Sequence, residues 1–112
     1  MTITLEQALP IVRGIEYELA SRGAHCALGG SVLHRGESAK DLDIFVYPRN
    51  CHRTQTPEEL LGILQYLFPA GRDVTNDDYP GDRIRFVVMH PMSAEAVLKI
   101  EFFIFLHRFP AQ

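Results

Sequence analysis

With only two cysteines in 112 residues, Cys26 and Cys51, a disulfide framework is excluded as the source of stability, and reduced thiols are expected. Basic charge is also scarce. Eleven Lys and Arg against fourteen Asp and Glu leave a net charge of −3, with no basic cluster of the kind a dedicated nucleic-acid binder uses to neutralise phosphates. Charge therefore gives nucleic acid no support as a partner, without ruling it out. No apolar run is long enough to span a membrane, and a start carrying Glu6 and Pro10 does not read as a signal peptide. The expectation is a cytoplasmic protein with no membrane partner. The five histidines lack zinc-site spacing, and Asp73, Asn76, Asp77 and Asp78 lack the alternation, glycine and closing Glu of an EF-hand loop. No Gly-x-Ser-x-Gly elbow or Lys-bearing phosphate loop occurs. Repeats, low-complexity tracts and linkers are missing too, so residues 1–112 read as a single domain.

What is present alternates helical and strand periodicities. Thr4 and Gln7 have capping-box spacing, and Ala8, Val12, Ile15 and Leu19 share one helical face, predicting a helix from Leu5 to Arg22 closed by Gly23. Pro10 conflicts with that helix and predicts a kink or a start near Leu9. Ala24 to Leu28 reads as a short buried strand, in which Cys26 is a small hydrophobe, and Ser31 to Gly36 as a short helix. A second helix follows Thr56-Pro57-Glu58-Glu59, with Leu60, Leu61, Leu64 and Leu67 as its apolar stripe and Pro69-Ala70-Gly71 as its end. Val74 suggests a short edge strand. Arg83 to His90 and Ala96 to Phe105 form a hairpin, whose last strand is apolar on both faces and is expected to be central and covered on both sides.

The chemistry concentrates in Asp41-Leu42-Asp43, which opens the apolar run Ile44-Phe45-Val46-Tyr47. A strand's period of two puts both carboxylates on one face and Leu42, Ile44 and Val46 on the other. At about 4 Å and an effective dielectric near 20, two like charges repel by roughly 4 kcal/mol, which a divalent cation relieves. Oxygen-only ligands on a strand suit Mg²⁺ or Mn²⁺. Upstream, Gly29-Gly30-Ser31 permits a tight turn whose amides and hydroxyl can meet phosphate.

Gly29-Gly30-Ser31, the segment Val32 to Lys40 and Asp41-Leu42-Asp43-Ile44 together resemble the signature of the polymerase-β-type nucleotidyltransferase superfamily. With Arg35-Gly36-Glu37 and the short chain, the likeness is greatest to the minimal nucleotidyltransferases. The resemblance implies an α/β (α+β) nucleotidyltransferase fold, with a mixed central sheet flanked by helices. It also implies an activity: transfer of a nucleoside monophosphate from an NTP to a hydroxyl on protein, RNA or a small molecule. Asp41, Asp43 and Glu101 would be catalytic and hold Mg²⁺ or Mn²⁺, with Glu101 in the place where the family more often has Asp. Gly29, Gly30, Ser31 and Arg35 would bind the phosphates. A protein partner or a homodimer would complete so short a chain; the apolar stretch Phe105 to Phe109 reads either as its docking surface or as a segment buried under the first helix.

Other readings of the same residues stand beside these. Asp41 and Asp43 can be surface acids paired with Lys40 or Arg35, and Glu101 can be a buried acid paired with Arg83, Arg85 or Lys99. The functional alternatives are an inactive binding protein of the same fold, antitoxin-like or inhibitory, and an NTP-sensing domain.

Overall fold

The computed structural model describes residues 3–30, 32, 36–38, 41–48, 56–75 and 83–105. Thr4 ends the strand β1 (Ile3–Thr4) and caps helix α1 (Leu5–Ala20). Its hydroxyl accepts the Gln7 N–H at 3.2 Å while Gln7 Oε1 accepts the Thr4 N–H at 3.0 Å, the capping box that the spacing predicts. The helix starts at Leu5 and runs through Pro10 instead of beginning near Leu9. The capping box secures the first turn, and Pro10 forgoes its one hydrogen bond at an exposed position. Gly23, with φ +84°, makes the left-handed turn beyond the helix end at Ala20, two residues short of Arg22.

Strand β2 (Ala24–Gly29) follows, and β3 (Glu37–Ser38) pairs back on β1 in a two-stranded sheet that periodicity did not reveal. Then come β4 (Asp41–Pro48), α2 (Pro57–Leu67), β5 (Arg72–Asp73), β6 (Arg83–Pro91) and β7 (Val97–Phe105). Thr56 caps α2 through the expected box with Glu59, and Pro57 stands at its first position. The edge strand expected at Val74 falls on Arg72–Asp73 instead, and Val74 just beyond it still donates its N–H to the Arg85 carbonyl at 2.8 Å.

The main sheet has the order β2-β4-β7-β6-β5. Its β4–β7 pair is parallel and its other pairs are antiparallel, so the described residues form an α+β unit in which a mixed five-stranded sheet packs with the helices α1 and α2. Leu42, Ile44 and Val46 of β4, Ile100 and Phe102 of β7, and Phe86 of β6 are buried on one face, in one core with Ala8, Ile15 and Leu19 of α1 and Leu60 and Leu64 of α2. Two expectations need correction here. β7 is central, but among the described residues no helix or strand packs on its second face, and Phe105 at its end is 50% exposed. The aromatic side chains on that face pack against one another, which is why the strand reads as apolar all round. β2 is an edge strand, and Cys26 in it is half-buried.

The free edge of β2 is tied to α1 by Glu16. Its Oε2 accepts the Cys26 N–H at 2.7 Å, and its Oε1 meets His25 Nδ1. Burial works to raise the Glu16 carboxyl, but His25 and the Cys26 amide outweigh it and hold the pKa below the ordinary Glu value. Burial, reinforced by the neighbouring Glu16, pushes the Cys26 thiol up to about 12. No helix among the described residues is long and apolar enough to cross a membrane.

Candidate functional site

Burial alternates along β4, with Leu42, Ile44 and Val46 inside, so Asp41 and Asp43 belong to the face that the helices leave open. The parallel register then sets Asp43 beside Glu101 and Asp41 beside Lys99 on β7. A carboxylate oxygen from each of Asp41, Asp43 and Glu101 lies within 4.8 Å of the other two. The three acids singled out in the sequence are thus brought together at the centre of the sheet.

Among the described residues two cations pair with these acids. Arg85 on β6 donates from Nε to Glu101 Oε1 at 2.5 Å and pairs with the same oxygen through Nη2. Its backbone is anchored in turn, its N–H donating to Thr75 Oγ1 at 2.9 Å. Lys99 Nζ lies 3.7 Å from Asp41 Oδ2. Glu101 is only 5% exposed, and Arg85 supplies the counter-charge a buried acid requires. Among the described residues no ion pair reaches Asp43. Burial first, then the charges of Glu101 and Asp41, raise its pKa above the usual Asp value, with Lys99 and Arg85 partly offsetting them.

The glycine turn abuts the acids. Gly29 is paired across the ladder with Asp43, and a Cβ on Gly29 would drive into the Phe45 ring, 2.8 Å from Cζ. Gly30 has φ +67°, and a Cβ there would collide with the Asp43 carboxylate, whose Cγ would lie at 2.9 Å. Both positions therefore demand glycine, and Gly30 brings main chain directly against a candidate ligand. The helix expected over Ser31 to Gly36 is represented by Val32, buried and helical, whose carbonyl accepts the Gly36 N–H at 3.0 Å. Ser31 and Arg35 lie outside the described residues.

The same period of two sets the neighbours of the acids. Lys99, two residues before Glu101 on the same face, meets Asp41 instead of Glu101. Beyond the acids, the same alternation lines up Phe45 and Tyr47 on β4 with Phe103 and Phe105 on β7. Phe45 lies 5.7 Å from Phe103 and 5.5 Å from Phe105, centroid to centroid. A cleft of about 560 Å³ lies elsewhere, between α1 and α2, lined by Ile11, Gly14, Leu67 and Phe68 among others; it has no part in the acid site. No protein-family model matches this chain, and no curated protein matches it either.

Proposed function

We propose that this domain is a metal-dependent nucleotidyltransferase with the polymerase-β-type fold, moving a nucleoside monophosphate from an NTP to a hydroxyl acceptor. The observation that carries this reading is the convergence of Asp41, Asp43 and Glu101 within 4.8 Å, with the Gly30 main chain packed on Asp43. The donor set is all oxygen, carboxylate and partly desolvated, which fits Mg²⁺ or Mn²⁺ and not a metal that prefers sulfur or imidazole. Divalent ions held there would lower the pKa of an attacking hydroxyl and neutralise the triphosphate.

The chain's own residues do the rest. Asp41 and Asp43, fixed two residues apart on one strand, define the near side of the site, and Arg85 holds the Glu101 carboxylate in place across from them. The Gly29-Gly30 turn lets backbone amides approach phosphate where any side chain would block Asp43. In the reaction the acceptor oxygen bonds to the α-phosphorus, the bond from that phosphorus to the β-phosphate's bridging oxygen breaks, pyrophosphate leaves and the hydroxyl proton passes to solvent.

The pairs Arg85–Glu101 and Lys99–Asp41 favour a second reading, in which the acids are balanced without metal and the domain binds a partner or senses NTP without turnover. One experiment separates the two. Labelled NTPs are incubated with the protein, Mg²⁺ or Mn²⁺ and a cell lysate, alongside the Asp43→Asn variant. Label appearing covalently on a lysate component with the parent and absent with the variant supports transfer. Metal-dependent NTP binding with no transfer from any NTP supports the second reading instead.

A further inference from the structure

The open face of the sheet carries a second feature next to the acids. Asp43 and Phe45 are successive same-face positions on β4, as are Glu101 and Phe103 on β7, so the backbone positions of an aromatic shelf begin about 6.6 Å further along both strands, with the Phe45 ring leaning back over Gly29. Its members are Phe45, Tyr47, Phe103 and Phe105, with Tyr47 45% and Phe105 50% exposed. The Arg83 guanidinium borders it, 5.8 Å from the Phe103 centroid.

We propose that this shelf stacks the base of the bound nucleotide, an inference that rests on the transferase reading of the acids. Gly30 reaches Asp43 sideways, from the β2 side, while Arg85 reaches Glu101 from the β6 side. A phosphate chain that starts at Gly30 and crosses the acids therefore runs across the strands. The substituent left over at the α-phosphate is the nucleoside, which leaves along the strand axis, and the shelf lies on that axis.

At roughly 200 Å² for a whole aromatic side chain, these partly exposed rings offer on the order of 300 Å². A stable protein–protein interface needs about 800 Å² from each partner, whereas this area suits one flat heterocycle. Stacking on phenylalanine is tolerant of base identity, because every base has a π-face. The site is accordingly unselective among ATP, GTP, CTP and UTP. Arg83 adds cation–π attraction at the rim.

The test follows the ring resonances of Phe45, Phe103 and Phe105 by NMR in the whole protein. Adenosine is titrated without metal, then ATP with Mg²⁺, then inorganic tripolyphosphate with Mg²⁺. Adenosine and ATP are expected to shift all three rings. Phe105→Ala should weaken both by about tenfold, the scale of one base–aromatic stack, and leave tripolyphosphate binding unchanged. Phe105→Leu, which keeps apolar bulk but loses the π-face, guards against misfolding of the alanine variant and should weaken them similarly. Rings that respond to no nucleoside or nucleotide overturn the inference. So does a Phe105→Ala variant that loses tripolyphosphate as much as ATP, and so do ring shifts that merely follow protein dilution, the mark of a second copy on the shelf. If adenosine moves the rings while tripolyphosphate fails to bind with Mg²⁺, the shelf stands and the transferase reading falls.

Discussion

Replacing Asp43 by Asn should make the metal-free protein more stable, against the usual direction for a partly buried residue. At the limiting separation of 4.8 Å, each like-charged pair in the triad repels by roughly 3 kcal/mol at an effective dielectric near 20. Asp43 takes part in two such pairs. Arg85 and Lys99 neutralise Glu101 and Asp41 in part, and solvent screens the half-exposed aspartates, which together reduce the gain to about 1 kcal/mol. The sign with pH follows from the raised Asp43 pKa. The folded state resists ionising Asp43, so the penalty enters as pH rises above the unfolded value near 3.9 and is complete above the folded pKa. Thermal unfolding in EDTA at pH 7 should therefore show Asp43→Asn melting about 5 °C above the parent, and the two should converge below about pH 4. Saturating Mg²⁺ or Mn²⁺ should reverse the order, because a cation present at a hundred times its dissociation constant adds about 2.7 kcal/mol to the parent alone. A variant less stable than the parent in EDTA, or stabilised by metal as much as the parent, would refute the electrostatic account of the triad.

Three further outcomes follow from the geometry. Gly30→Ala forces a side chain into a left-handed backbone and into the Asp43 carboxylate, so it should cost about 1–3 kcal/mol in denaturant titrations and weaken the metal response as well. Glu16→Ala leaves the Cys26 amide exposed on the free edge of β2 and should cost about 1–2 kcal/mol at pH 7. Because the Glu16 pKa is lowered on folding, the parent's advantage is present above about pH 4.3 and is lost as pH falls through the folded value, so the two proteins should become equally stable in acid urea titrations. Cys26, with its thiol pushed up to about 12, should resist a thiol reagent at pH 8 in the folded protein and react once denaturant unfolds it; rapid labelling of Cys26 in the native state would contradict its placement beside Glu16.

Much of this architecture is written locally. Thr4 with Gln7, and Thr56 with Glu59, specify helix starts through bonds three residues apart, and the alternation in Asp41–Pro48 alone divides acids from core. Other features depend on contacts that periodicity does not contain. Nothing local says that β7 lies parallel to β4, yet that register is what puts Glu101 beside Asp43 and gives Lys99 to Asp41. Pro10 misleads for a related reason: its cost is local, but the capping box and the burial of Ala8, Ile15 and Leu19 outweigh it. The apolar second face of β7 suggested cover from another layer, whereas among the described residues Phe45, Phe103 and Phe105 shelter one another with no helix or strand over them. The tie from Glu16 to His25 and Cys26 spans nine and ten residues between a helix and an edge strand, and no motif announces it. Ser31 and Arg35, proposed from the motif alone, rest on the sequence and not on the structure.

The central claim is that Asp41, Asp43 and Glu101 jointly hold a divalent cation beneath a nucleoside triphosphate. Crystals grown with Mn²⁺ and a non-hydrolysable NTP analogue test it most directly, by anomalous scattering. A Mn²⁺ peak is expected about 2.1 Å from oxygens of all three carboxylates, with the triphosphate at the Gly30 turn. No peak among the three acids at saturating Mn²⁺, or a peak that leaves Glu101 bound to Arg85 alone, would contradict it.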